Sequence, residues 1–330
     1  FILLTSKSEK LEIAQGLDAG ADDCLTKPVN PGELRARISA GDRIIGMQRE
    51  LSDKNRVIAE TLNRLQEAYD SIDRDLKQAR KIQQSLVPEL TRDFGASRVS
   101  LLLQPCGHIG GDLVGMFSPH EGEVGFYSID VSGHGITSAM MTAKLGGYLN
   151  PQHFDENLAM TRTENGAHML KPPEDVAAEL NQRLLSDAGI DEYFTLAYGV
   201  TNLATGRTRL VQAGHPHPLL LRADGGAEFV GSGGMPVGLL PATRYHAIEF
   251  TMEPGDRLLL YSDGFVECQT RAGGMLEGEG LLRLVGGCRS GGGREMLDDL
   301  FWRLSEEMDP IFGMQDDVSA TLFEFRPGAD

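Results

Sequence analysis

Four short segments set an aspartate beside glycine or beside a second aspartate: Gly110-Gly111-Asp112, Asp130-Val131-Ser132-Gly133-His134-Gly135, Tyr261-Ser262-Asp263-Gly264 and Gln315-Asp316-Asp317. Each is expected at the end of an apolar strand, where glycine lets the backbone bend and approach a ligand. Carboxylates gathered without basic partners repel one another unless something positive lies between them, and oxygen-only donors favour hard cations such as Mg²⁺ or Mn²⁺. Singly, an Asp-Gly after a strand is an ordinary turn. It is the ordered set that points to a metal site.

The elements that must position these residues fall into three regions. Residues 1–40 alternate strand and helix: strands over Phe1–Thr5 and Asp23–Thr26, helices over Glu9–Ala19 and Pro31–Ser39, an α/β pattern. From Ile44 to Leu86 the period becomes seven. One column reads Ile44, Leu51, Ile58, Leu65, Ile72, Ala79, Leu86, and a second, four residues later each time, reads Gln48, Asn55, Leu62, Tyr69, Leu76, Gln83. Heptads sustained this long predict a coiled coil, with Gln48 and Asn55 fixing register at a cost in stability. The alternative is a long amphipathic helix packed on its own domain, which would show a broader apolar face.

Beyond residue 95 the chain is β-rich. Strands are expected over Val99–Gln104, Glu123–Asp130, Thr195–Thr201, Thr208–Gln212, Pro218–Arg222, His246–Met252, Arg257–Ser262 and Ser319–Phe325. Helices are expected over Ser138–Leu149, Pro173–Ala188, Gly278–Leu284 and Arg294–Glu307. The fold class is α+β, with sheets packed on each other and helices outside. The domains implied are 1–40, a coiled-coil linker and dimerisation helix over 41–88, and a catalytic domain over 89–330.

A chain of 330 residues has room for about two domains. Its net charge of −17 argues against a nucleic-acid surface, which needs clustered Lys and Arg. No apolar run is long enough to span a bilayer. Cys24, Cys106, Cys268 and Cys288 are scattered, with no metal-like pairing, and suit free thiols in a reducing cytoplasm.

Several stretches, taken in order, carry a resemblance that spans residues from about 78 to 325. They are Ala79–Pro88, Gly110–Asp112, Asp130–Gly135, Ala213-Gly214-His215-Pro216, Pro236–Leu239, Pro254–Asp256, Tyr261–Glu267 and Asp316–Ser319. Together they resemble the SpoIIE-type branch of PP2C serine/threonine phosphatases. The resemblance implies a PP2C-like β-sandwich flanked by helices, and a site in which Asp112, Asp130, Asp263 and Asp316, with the Val131 carbonyl, hold two Mn²⁺ or Mg²⁺ ions that activate water towards a phosphoserine. It also implies a phosphorylated regulatory partner of the anti-sigma-factor antagonist type. Family members commonly carry a further acidic residue three positions after Asp112. Here that position is Gly115, which bears on the number of metals held. His134, between glycines, is either a turn residue before a helix or a group near the phosphate. His215 reads as structural, and Glu267 as a support for the Asp263 loop or as surface.

Residues 1–40 resemble the last third of a response-regulator receiver domain, through the strand ending in Thr5-Ser6, Gly20-Ala21-Asp22-Asp23 and Lys27-Pro28. By that resemblance Thr5 senses a phosphoryl group and Lys27 pairs with the acceptor aspartate, which is expected upstream of Phe1. Cys24 stands where an aromatic switch residue is usual. An upstream histidine kinase is the implied input.

Two other functions fit parts of this pattern. A catalytically silent scaffold would not need all four core aspartates. A nucleotide cyclase would use Gly-Gly-Asp, but it requires an acidic neighbour to Asp112 and leaves the later Asp-Gly and Asp-Asp segments without a role.

Overall fold

The computed structural model describes residues 1–6, 10–87, 89–133, 135–187, 192–288 and 291–328. The chain divides into two compact units, Phe1–Arg74 and Asp75–Asp330. The first holds β1 (Ile2–Thr5), α1 (Lys10–Asp18), β2 (Asp23–Thr26) and most of α2 (Pro31–Gln84). Strands β1 and β2 run parallel, with Thr5 beside Thr26, and the Lys27 amide donates to the Thr5 carbonyl at 2.7 Å. Thr5 and Lys27 are therefore backbone neighbours at the carboxyl ends of the parallel strands. Arg37 forks onto Asp23 at 2.6 and 2.7 Å, which ties the start of α2 to β2 and holds the Asp23 carboxyl below its ordinary range.

A helix ending at Ser39 and a separate coil starting at Ile44 were the expectation. Instead α2 is a single helix of 54 residues. The interior glycines Gly41 and Gly46 cost about 1 kcal/mol each relative to alanine, too little to stop a helix with no proline beyond its first position. Pro31 at its first position and Glu33 in its first turn favour the start. Ile44, Leu51, Ile58, Leu62, Leu65, Tyr69 and Ile72 are all 51–62% exposed, so the heptad seam faces no element of its own unit.

The second unit continues with β3 (Thr91–Phe94), β4 (Ser97–Gln104), β5 (Asp112–His120), β6 (Glu123–Val131), α3 (Ile136–Tyr148), β7 (Met160–Arg162), β8 (His168–Leu170) and α4 (Pro173–Ser186). Then come β9 (Phe194–Asn202), β10 (Arg207–Ala213), β11 (Leu219–Leu221), β12 (Ala227–Phe229), β13 (Ala247–Thr251), β14 (Arg257–Tyr261), α5 (Glu277–Gly287), α6 (Gly293–Glu307) and β15 (Val318–Glu324). One sheet has the order β13-β10-β9-β6-β5 and the other β12-β11-β14-β15-β4-β3. Alternation along each strand sorts the side chains between two faces. Val114, Met116, Phe126, Ala197, Leu258, Leu260 and Phe323 fill the space between the sheets. Leu113, Phe117, Ile129 and Leu196 face outward under α3 and α4, and Leu259, Val318 and Leu322 do so under α5 and α6. The expected α+β sandwich with helices outside is what the chain forms.

Strand β5 has no counterpart among the expected elements. Gly115 and Pro119 dilute its β signal, yet both are tolerated because β5 is the edge of its sheet. The consequence for the site is direct. Asp112 opens β5, where an aspartate closing a strand was expected, Asp263 begins a short 3₁₀ turn after β14, and Asp316 precedes β15.

Candidate metal centre

Asp112 and Asp130 are directly opposed across the β5–β6 ladder, and Asp130 is in turn opposed to Thr195 on β9. Residues opposed in this way share a face. By the alternation above, that face is the interior of the sandwich, at its end. Here the interior changes from apolar to polar, with Ser128, Ser262 and Ser319 fully buried. From the second sheet, the turn after β14 brings Asp263 and the approach to β15 brings Asp316 and Asp317.

These carboxylates sense one another. Burial first, and neighbouring carboxylates second, push Asp112 and Asp130 far above the usual range. The Ser319 and Ser262 hydroxyls offset only part of this for Asp112. Asp263 is pushed up to about 6 by burial, then by Asp316 and Glu267. Glu267 itself is exposed and adds negative charge to the Asp263 loop, and its amide donates to the Asp263 carbonyl at 2.8 Å. Among the described residues no Lys or Arg pairs with Asp112, Asp130, Asp263, Asp316 or Asp317. The Oδ2 atom of Asp112 is buried without a hydrogen-bond partner. Leaving a buried carboxylate oxygen unpaired is costly, and a hard cation is the partner this donor set suits. The residues therefore fit a divalent metal, although among the described residues no group of three or more acidic, His or Cys side chains closes tightly enough to hold an ion as it stands.

Asp317 has a different job. Its Oδ1 accepts from the Cys106 amide at 2.7 Å and its Oδ2 from the Gly111 amide at 2.5 Å, with the Asp112 amide at 3.4 Å. It clamps the loop that delivers Asp112. The exposed Asp316 keeps its carboxylate available, apart from accepting the Asp317 amide at 2.8 Å. The glycines follow from close approach. A side chain at Gly110 would overlap the Asp317 carboxylate, one at Gly264 would overlap the Asp317 carbonyl, and a Cβ at Gly111 would stand 3.0 Å from the Val131 carbonyl oxygen.

The clamp of Asp317 and the Gly110 contacts of Gln83 and Thr142 were missed as functional features of the sequence. His215 is buried, its ring nitrogen Nδ1 lies 2.8 Å from the Thr195 hydroxyl, and burial lowers its pKa to about 3, which favours the neutral ring. Asp317 was visible as the second half of Asp-Asp, but nothing in the spacing distinguishes a ligand from a clamp. His134 lies outside the described residues.

The family described as Stage II sporulation protein E (SpoIIE) matches residues 120–326. The chain belongs to the SpoIIE family. It is 28% identical over 196 residues to the phosphoserine phosphatase RsbP of Bacillus subtilis (strain 168), covering 59% of this chain and 45% of that protein, so it spans less than half of RsbP's length. The solved SiaA-PP2C domain of Pseudomonas aeruginosa shares the fold, with a TM-score of 0.63 at 17% identity, covering 78% of this chain and 98% of that one. Near the N-terminus, 39 residues are 54% identical to the phosphate regulon transcriptional regulatory protein PhoB of Pseudomonas aeruginosa (strain PAO1), covering 12% of this chain and 17% of that protein.

Within this SpoIIE-family unit Gly115 has a physical explanation. It lies on the opposite face of β5 from Asp112, and a side chain there would overlap the buried Tyr127 ring and hydroxyl. Its position is therefore on the face of β5 away from Asp112.

The raised carboxyls make a signed prediction for the metal-free chain. A carboxyl whose folded pKa is raised keeps its proton in the folded state but loses it in the unfolded one, so stability falls as pH rises from its ordinary 3.8 towards about 8 for Asp112. Asp112→Asn removes that penalty. Urea denaturation without divalent metal should show the variant more stable than wild type by roughly 1 kcal/mol or more at pH 8, with the gap closing below pH 4. A variant that is less stable at pH 8 would contradict the electrostatic account.

Proposed function

We propose that Asp75–Asp330 is a metal-dependent protein phosphatase acting on phosphoserine or phosphothreonine. The observation that carries this reading is the unpaired, buried Asp112 oxygen within a group of mutually repelling carboxylates. Asp112, Asp130, Asp263 and Asp316 would hold Mn²⁺ or Mg²⁺, with the Val131 carbonyl as a backbone donor. When bound, the metal supplies Lewis acidity, which lowers the pKa of water and offsets charge on phosphoryl oxygens. Asp317 holds the Gly111–Asp112 backbone in place, and the buried Ser262 hydroxyl is engaged with the Asp317 and Ser319 backbone. No cysteine nucleophile is required: Cys268 and Cys288 are buried under α5 and α6, and burial raises the thiol pKa of both.

The substrate we infer is a small regulatory phosphoprotein of the anti-sigma-factor antagonist type, the partner that the SpoIIE-type resemblance implies, and the similarity to the phosphoserine phosphatase RsbP supports phosphoserine as the target. The receiver-like unit, with Thr5 and Lys27 brought together, is the input for an upstream histidine kinase. The exposed seam on α2 is the surface for a second copy, giving a parallel homodimer through which the receiver's state reaches the phosphatase. Four free cysteines suit a cytoplasmic setting. Among the described residues no helix is long and apolar enough to cross a membrane.

Two experiments test this reading. The chain incubated with a phosphorylated antagonist protein should release phosphate with Mn²⁺, and in parallel with Mg²⁺, and chelation should stop the release. Asp263→Asn should lower the rate by about 100-fold or more while leaving the circular dichroism spectrum unchanged, because a core metal donor is lost. Full activity in Asp263→Asn would remove the assignment. By sedimentation at micromolar concentration the chain should be a dimer, and Leu51→Asp with Ile58→Asp should make it a monomer. A wild-type monomer would reject the seam.

A further inference from the structure

We propose that Gln83 is a positioning residue for the metal centre: its side-chain amide bonds both the N–H and the C=O of Gly110 and so fixes the loop that carries Asp112 and abuts the Val131 carbonyl. This rests on the functional reading above. Gln83 is only 9% exposed, on the last turn of α2. The Gly110 amide donates to its Oε1 at 3.1 Å, and its Nε2 donates to the Gly110 carbonyl at 2.5 Å. A primary amide can meet the N–H and C=O of one residue in this two-bond way because it offers a donor and an acceptor side by side. The opposite side of Gly110 is closed by Asp317, whose carboxylate occupies the space a side chain would need. The next residue, Gly111, bonds through its amide to Asp317 and through its carbonyl to the Thr142 hydroxyl at 2.9 Å, while the Val131 amide donates to that same carbonyl at 3.3 Å. Three side chains from α2, α3 and the approach to β15 thus converge on two glycines next to Asp112.

The heptad pattern supports a dedicated role. Gln83 is the last member of the column that runs Gln48, Asn55, Leu62, Tyr69, Leu76, Gln83. Tyr69, two heptads earlier in that column, is 62% exposed, whereas Gln83 is buried within the catalytic unit. At a place where a helix–helix seam would take leucine, the chain has a side chain whose oxygen and nitrogen both bond to the backbone of one residue, Gly110. Leu86 follows on the same side of the chain, with its methyl groups against Gly146 of α3, so the segment after α2 packs on the same layer.

Support of this kind, one bond removed from the ligands, typically changes metal affinity by about 10–100-fold. The test measures Mn²⁺ binding to the resting chain from the electron paramagnetic resonance signal of free Mn²⁺, in wild type, Gln83→Leu and Gln83→Asn. Gln83→Leu keeps bulk but loses both bonds, and Gln83→Asn keeps the amide on a stem too short to reach. Both should bind Mn²⁺ about 10–100-fold more weakly. Their hydrolysis of a small phosphate ester should return towards wild type as Mn²⁺ is raised. A role confined to packing would lower the unfolding temperature of the metal-free chain and leave the Mn²⁺ affinity of folded protein unchanged. If Gln83→Leu does not fold, Gln83→Asn alone decides. Wild-type Mn²⁺ affinity in either folded variant overturns the proposal and leaves the phosphatase reading standing. A wild-type chain that binds no Mn²⁺ overturns that reading and the proposal with it.

Discussion

Asp112 and Asp130 are placed opposite each other on neighbouring strands, at the polar end of a sandwich, with no Lys or Arg paired to either among the described residues. Every other feature of the catalytic unit follows from keeping that arrangement. Two carboxylates in low dielectric repel strongly, and holding their charge requires a cation or holding their protons requires a raised pKa. The serines beneath them, the clamp formed by Asp317, and the glycines at 110, 111 and 264 hold the backbone where the charges must stand. A side chain at any of these glycines would push a strand end out of the cluster. The fold bears a local electrostatic cost, and the cost marks the site.

Much of this arrangement was legible in the sequence because two signals were independent. Strand periodicity located β6, β9, β14 and β15 to within a residue or two, since each alternates between the inter-sheet core and a helical layer. The Asp-Gly segments then marked the ends nearest the cluster. The reading failed where one signal masked another. Strand β5 reads as irregular because Gly115 must make room for Tyr127, and its edge position removes the penalty for Pro119. Asp316 and Asp317 are the same residue type side by side, and only burial separates a free carboxylate from one engaged with three amides. The hydrogen bonds of Gln83 join residues 27 positions apart, a distance that no local pattern reports.

The long helix shows how one periodic pattern can serve two purposes. From Ile44 to Ile72 its columns are exposed. From Leu76 onward the same columns, at Leu76, Ala79, Gln83 and Leu86, are half-buried or buried within the catalytic unit. Heptad spacing describes which side of a helix is used but not what it meets.

The central claim is that the carboxylates are crowded until a divalent cation joins them. Protonated carboxyls must give up their protons to bind a metal, so binding is linked to proton release. The most direct measurement is calorimetric titration of Mn²⁺ at pH 7 in two buffers of different ionisation enthalpy. Because burial and neighbouring carboxylates raise the pKa of both Asp112 and Asp130, metal binding should release protons and the heat should depend on the buffer. Mn²⁺ binding with a heat independent of the buffer, or no binding at all, would contradict the account.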